Sequence, residues 1–292
     1  MKNFKKLALM GLTAVMSLSL LAACGGGNSG SAETPANNTE TPSVENTETP
    51  AASGEFTTVE AGKLIMSTNA QFPPSEMVGD GEGYEGTGYE GIDVEIAYAI
   101  AEKLGLELVV DNMGFDAALQ AVQTGKSDIV MAGVTVTDDR LEVMDFSDTY
   151  ANGIQVVIVP ENSDIATIDD LEGKLIGCQM GTTGYIYCSD TPENGGYGED
   201  AVIPYDDGAA AIQALMNGQV DCVVIDNAPA QEYVKANPGL KILDTEFANE
   251  NYAIGFAKGN TALKDAVNAA LIELVEDGTV QSIIDKYIPA EG

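Results

Sequence analysis

One pattern occurs twice in the 292-residue chain. Gly62-Lys63-Leu64-Ile65 recurs as Gly173-Lys174-Leu175-Ile176. Further on, Ala117-Ala118-Leu119-Gln120-Ala121 leads through Gly125 to Asp128-Ile129-Val130. Its echo runs from Ala210-Ala211-Ile212-Gln213-Ala214 through Gly218 to Asp221-Cys222-Val223, with seven identities between the two copies. In each copy apolar residues at helical spacing end at a Gly, as a helix C-cap does, before a short β-rich run. Each half therefore reads as strand, helix, strand, helix, in an α/β plan with a mainly parallel sheet. Two similar α/β lobes follow.

Open α/β sheets bind ligands at the carboxyl ends of their strands, so the repeat selects residues. The predicted strand 129–132 ends at Gly133-Val134-Thr135-Val136-Thr137, followed by Asp138-Asp139-Arg140. The second copy's strand 223–225 ends at Asp226, position for position with Gly133. The first strand of each lobe ends in Ser67-Thr68-Asn69-Ala70-Gln71-Phe72 and in Gln179-Met180-Gly181-Thr182-Thr183-Gly184. If these ends face one another, one lobe offers a fixed cation and the other a fixed anion. That is the complement of a zwitterion.

Composition removes competing classes. Forty-six Asp plus Glu against 13 Lys plus Arg give a formal charge of −33, the wrong sign for gripping nucleic-acid phosphates. With no His, the usual zinc sites, Ser-His-Asp triads and His acid/base catalysis are absent. No metal or other cofactor is expected. Hydrophobic content of 45% is ordinary for a globular protein.

Residues 1–23 read as a secretory signal: Lys2, Lys5 and Lys6 precede an apolar run from Leu7 to Leu20, too short to span a bilayer. Leu21-Ala22-Ala23-Cys24 resembles the lipobox of bacterial lipoproteins, which implies a lipidated Cys24 as mature N-terminus. Residues 24–58, rich in Gly, Ser, Asn, Thr, Pro and Glu, read as a disordered acidic tether. The folded part is then expected outside the cytoplasm, tied to the membrane by lipid. Cys178, Cys188 and Cys222 allow at most one disulfide, and buried thiols are an equal alternative.

From about residue 62 to 289 the chain resembles the polar amino-acid branch of bacterial extracellular solute-binding proteins (family 3), which serve ATP-driven ABC importers. The matching runs are Phe72-Pro73-Pro74, Gly91-Ile92-Asp93-Val94-Glu95-Ile96-Ala97, Ala132 to Arg140, Asp145-Phe146-Ser147-Asp148, Gly181-Thr182-Thr183-Gly184 and Asp277-Gly278-Thr279. The resemblance implies the periplasmic-binding-protein type II fold: two Rossmann-like α/β lobes joined by a two-segment hinge, closing on a ligand like a flytrap. Carried onto this chain, lobe 1 is 59–150 plus 253–292, lobe 2 is 155–248, and the hinge segments are 150–154 and 248–252. It also implies a monomer that hands an L-amino acid to the transmembrane subunits of an ABC permease.

Residue by residue, the resemblance assigns the ligand α-carboxylate to Arg140, helped by the N–H groups of Thr135 and Thr183. It assigns the α-ammonium to Asp226, the Gly133 carbonyl and the Thr135 hydroxyl. An Arg fork meets a carboxylate bidentately, which Lys cannot do. Phe72 and Phe115 match positions whose rings sandwich the ligand side chain. Asn69, Gln179 and Ser75 stand where relatives carry charged or aromatic residues. A pocket lined by these neutral hydrogen-bonders favours a polar uncharged ligand such as glutamine, or a small or sulfur-containing one.

Two other functions fit the resemblance less well. An exported dehydratase acting on cyclic precursors such as arogenate needs a proton donor at the reacting carbon, and neither a His nor an evident further cleft carboxylate supplies one. A sensory domain would continue into a membrane span, which the residues after Tyr287-Ile288-Pro289 do not form. The run 79–91 lacks the EF-hand pattern and reads as a hairpin loop near the cleft mouth. The stripe Val94, Ala97, Ala101, Leu104 reads as core.

Overall fold

The computed structural model describes residues 56–288. The expected leader, the lipidated Cys24 and the tether as far as residue 55 lie outside the described residues. No helix among the described residues is long and apolar enough to cross a membrane.

The chain begins with β1 (Lys63–Thr68), β2 (Gln71–Phe72), β3 (Glu76–Val78) and β4 (Tyr89–Glu90), then α1 (Ile92–Leu104) and β5 (Glu107–Asn112). α2 (Phe115–Gln123), β6 (Ile129–Val130) and α3 (Asp138–Val143) follow, before the long strand β7 (Met144–Pro160). The second half runs β8 (Ile176–Gln179), α4 (Thr183–Ser189), β9 (Val202–Tyr205), α5 (Gly208–Met216), β10 (Cys222–Asp226), α6 (Asn227–Ala236) and β11 (Leu240–Ile242). It closes with β12 (Ala248–Ala257), α7 (Thr261–Glu276) and α8 (Thr279–Tyr287).

The repeat is real in three dimensions. In one wing of the sheet the order is β5-β1-β6, all parallel, and in the other β9-β8-β10, again all parallel. Each wing thus places its first strand between its second and third. The repeated helices α2 and α5 end alike: Gly125 and Gly218 adopt φ of 68° and 67°, and the next N–H returns to Ala121 O and Ala214 O. The repeated acids do the same work. Asp128 accepts the Ile65 N–H at 2.8 Å and Asp221 accepts the Leu175 N–H at 2.8 Å, each closing a strand start.

The sheet corrects the register of the first repeat by one residue. Met66 lies opposite Ile129, and Ile176 opposite Cys222. Since Ile129 and Cys222 are equivalent, Met66 matches Ile176, and Asn69 matches Gln179. β6 is also shorter than the predicted 129–132, because the chain turns away toward Gly133, whose φ is +56°.

Between the wings run β7 and β12, antiparallel to each other and to the strands they flank. Residues 150–154 and 248–252 lie within these two strands, which pair with Tyr252 opposite Ala151 and Ala248 opposite Gln155. The architecture is thus two α/β lobes strung on a pair of crossing strands. Separate cores fill them. One packs α1 and α7 on β1 around Leu64, Met66, Ile96, Ile100 and Phe256, all fully buried. Val94, Ala97 and Ala101 belong to it, with Leu104 at its margin. The other wing buries Val157, Ile165, Leu171 and Ile176. Each such side chain contributes about 1.5–3 kcal/mol. Cys178, Cys188 and Cys222 sit in this second core as free thiols.

The run 79–91 forms the β3–β4 hairpin. It ends at Gly91 (φ +129°), where a Cβ would collide with the Ser75 carbonyl, so the chain there requires glycine. That close approach lets Pro74 O and Ser75 O accept the first N–H groups of α1.

Candidate functional site

The carboxyl ends of β1, β6, β8 and β10 meet around one small cavity. Nine of the sequence-selected residues line it: Asn69, Phe72, Phe115, Gly133, Thr135, Arg140, Gln179, Thr183 and Asp226. Ser75 does not. It lies in the turn between β2 and β3, where its backbone holds the start of α1. Strand alternation instead sets Phe72 opposite Glu76, and Glu76 lines the cavity.

Arg140 stands in the first turn of α3, whose N-cap hydroxyl, Thr137 Oγ1, accepts the Arg140 N–H at 3.3 Å. The residue is 8% exposed and its guanidinium bonds only carbonyls: Nη1 donates to Thr135 O at 2.8 Å and Nη2 to Gly181 O at 3.2 Å. No acid of the described residues reaches it as an ion pair. The Phe115 ring lies 5.5 Å from its Cζ. Burial lowers its pKa, opposed first by Glu250, and a guanidinium remains charged regardless. A buried cation without a bonded anion suits an incoming carboxylate.

Asp226 closes β10, 8% exposed. Gln155 Nε2 donates to its Oδ2 at 2.7 Å, and the Tyr252 hydroxyl donates to its Oδ1. Gln155 Nε2 also reaches Glu250 Oε2 at 3.1 Å, so one amide from β7 holds two carboxylates. Burial and then Glu250 push Asp226 up to about 7. The Thr135 hydroxyl donates to Glu250 Oε2 at 2.9 Å, which turns its own lone pairs toward other donors. Gly133 N–H is taken by Asp93 Oδ2 at 2.9 Å, and the Phe72 ring sits 3.0 Å from where a Cβ would be.

The neutral hydrogen-bonders are engaged with the protein. Asn69 Nδ2 donates to Met113 O at 2.9 Å. Gln179 Nε2 donates to Asn69 Oδ1 at 2.9 Å and to Asp206 O at 3.2 Å. Glu76 is the opposite case: fully buried, with neither carboxyl oxygen met by a donor. Burial, and then Asp93, hold its pKa well above the usual carboxylate range. The expectation that no further carboxylate stands at the cleft is therefore corrected. Glu76, Gln155, Glu250 and Tyr252 escaped the sequence reading. A lone Gln within the run Ile154 to Val159, and a Glu two residues past Pro-Pro, were the available signals.

Other contacts join the lobes around the cavity. Tyr233 Oη donates to Gln71 O at 3.1 Å, and Phe72 packs among Ile212, Leu215 and Ile225. Gly181 (φ +76°) rests against the Asp116 carboxylate. The described conformation is closed.

The model of the family described as bacterial extracellular solute-binding proteins, family 3, matches residues 64–290. A probable histidine-binding protein of Neisseria gonorrhoeae is 34% identical over 79% of this chain and 85% of its own length. The L-cystine-binding protein TcyJ of Escherichia coli is 32% identical over 80% and 85%. Among solved structures, the arginine-, lysine-, histidine-binding protein ArtJ of Geobacillus stearothermophilus superimposes with a TM-score of 0.70. It is 33% identical, over 79% of this chain and 96% of that one. All three are named for binding, none for catalysis. With two lobes on crossing strands and one cavity between them, the chain belongs to family 3 of the bacterial extracellular solute-binding proteins, the amino-acid-binding components of ABC transporters.

Proposed function

We propose that this chain captures an L-amino acid with a cationic side chain outside the cytoplasm and delivers it to an ABC permease. The carrying observation is that Arg140, Asp226 and a donor-free Glu76 line one cavity. Arg140 receives the α-carboxylate with Thr135 and Thr183. Asp226 receives the α-ammonium with Gly133 and Thr135. The rings of Phe72 and Phe115 flank the side-chain stem, whose charge meets Glu76. A polar uncharged ligand has less support, because Asn69 and Gln179 spend their amides on Met113, Asp206 and each other. The basic amino acids in the names of two of the relatives favour the same reading.

Binding and closure suffice as mechanism. Ligand loads on one lobe, 59–150 with 253–292. The other, 155–248, then swings on 150–154 and 248–252 to desolvate the charge pairs. Cys24 carries the lipid, and residues 24–58 let a monomeric receptor stand off the membrane. A thermal-shift screen of the L-amino acids tests the ligand class. A ligand at 100 times its Kd stabilises the folded state by about 2.7 kcal/mol. Arginine or lysine should give the largest shift. A larger one from glutamine or cystine would overturn the cationic reading.

A further inference from the structure

Glu76 and Asp93 present a buried pair with an arithmetic problem. Glu76 is fully buried and Asp93 1% exposed. Asp93 N–H bonds the carbonyl of Ser75, the residue before Glu76, at 2.9 Å, and the Asp93 carboxyl raises the Glu76 pKa. Two carboxylates repel; they can be joined only if one of them carries a proton. Asp93 already accepts two donors, Gly133 N–H at 2.9 Å and Tyr150 Oη at 2.8 Å, which favour its charged form. Glu76 accepts none, so the proton belongs on Glu76, donated toward Asp93.

Among the described residues, no cation bonds Glu76. From α1, Asp93 faces Glu76, while Glu95 is turned to Lys286 and Tyr287 of α8. From β4, Glu90 and Tyr89 lie opposite Met77 and Val78 rather than Glu76. β2 brings Phe72. From β10 comes Asp226, which disfavours a second negative charge, and from β7 Tyr150, whose hydroxyl donates to Asp93. Arg140 lines the same cavity, held by Thr135 and Gly181 carbonyls. An ionised Glu76 in the empty closed site would therefore stand against acids with no bonded partner.

We propose that the empty site stores a proton between Glu76 and Asp93, and that a cationic ligand side chain takes its place, expelling the proton to solvent. The exchange keeps the charge of the buried site constant. It also gives selectivity by charge, since a neutral side chain has nothing to offer an ionised Glu76 and leaves the proton where it is. Asp93 acts as a positioning residue here, linking the proton to the Gly133 backbone at the cavity wall. This inference rests on the proposed cationic ligand and has its own test.

Titration calorimetry of the full chain at about pH 8, in buffers of different ionisation enthalpy, counts protons released per ligand. Above about 7 Asp226 is largely ionised and adds little. Arginine should release a proton, and its affinity should rise with pH by at most about tenfold per unit. Citrulline, its neutral isostere, should release none, and Glu76→Gln should abolish release by arginine. Tight arginine binding with no proton released by the unaltered chain would overturn the proton exchange while leaving the cationic reading intact. Citrulline binding as tightly as arginine would overturn both. The wild-type count decides the matter even if Glu76→Gln fails to fold.

Discussion

Gln179 Nε2 donates to Asn69 Oδ1 across the cleft at 2.9 Å, and the two residues occupy equivalent places at the ends of β8 and β1. The internal repeat thus meets itself at the ligand cavity, one lobe's first strand-end touching the other's. In the closed form this bond bolts the lobes together. Gln179→Ala should remove it at a cost of about 0.5–1.5 kcal/mol to closure, seen as a roughly 2–10-fold weaker affinity. The melting temperature of the ligand-free protein should change little. An unchanged affinity would show that the bond forms without favouring the closed state.

Asp226→Ala and Arg140→Ala should each weaken amino-acid binding by about 3–5 kcal/mol, because the ligand's opposite charge is left buried and unpaired. Calorimetry measures this directly. A loss under tenfold for Asp226→Ala would remove that residue from the ammonium site.

Gly181→Ala addresses closure from the other side. A Cβ there would run into the Asp116 carboxylate, and φ of +76° is strained for alanine. The variant should fold, bind more weakly and remain expanded at saturating ligand by small-angle scattering. A fully closed variant of native affinity would contradict the contact.

Acidification should weaken binding. Asp226 is raised to about 7 in the empty closed site, against an ordinary value of 3.8. From about pH 4 to 7 the folded empty form therefore holds a proton that the unfolded chain has lost, and its stability falls as pH rises. The proposed ammonium role needs Asp226 ionised in the bound form, so ligand stabilisation should grow across the same window. The thermal shift with ligand should be larger at pH 7.5 than at 5.5. A shift that is flat or larger in acid would contradict the ammonium role of Asp226.

Cys24→Ser should release the chain from the membrane fraction into the medium or periplasm, measured by fractionation. Retention with unchanged mass of the N-terminal peptide would contradict lipidation.

The repeat made the two-lobe plan and most of the cavity wall legible, because strand ends at Gly133, Asp226, Asn69 and Gln179 follow from topology alone. Its first-strand alignment was one residue out of register, since Gly-Lys-Leu-Ile precedes the sheet by different amounts in the two lobes. Ser75 was misplaced because a turn after Pro-Pro reverses which residue faces inward, putting Glu76 there. Gln155, Glu250 and Tyr252 lie on β7 and β12, away from the carboxyl ends of those strands, and gather around Asp226 only because β10, β7 and β12 pair side by side. Long-range pairing of that kind leaves no local pattern.

A crystal structure with bound L-arginine tests the central relationship most directly. The α-carboxylate should lie within hydrogen-bond distance of the Arg140 guanidinium and the α-ammonium within that of the Asp226 carboxylate, in one closed cavity. A ligand bound elsewhere, or with its zwitterionic head turned away from both residues, would contradict it.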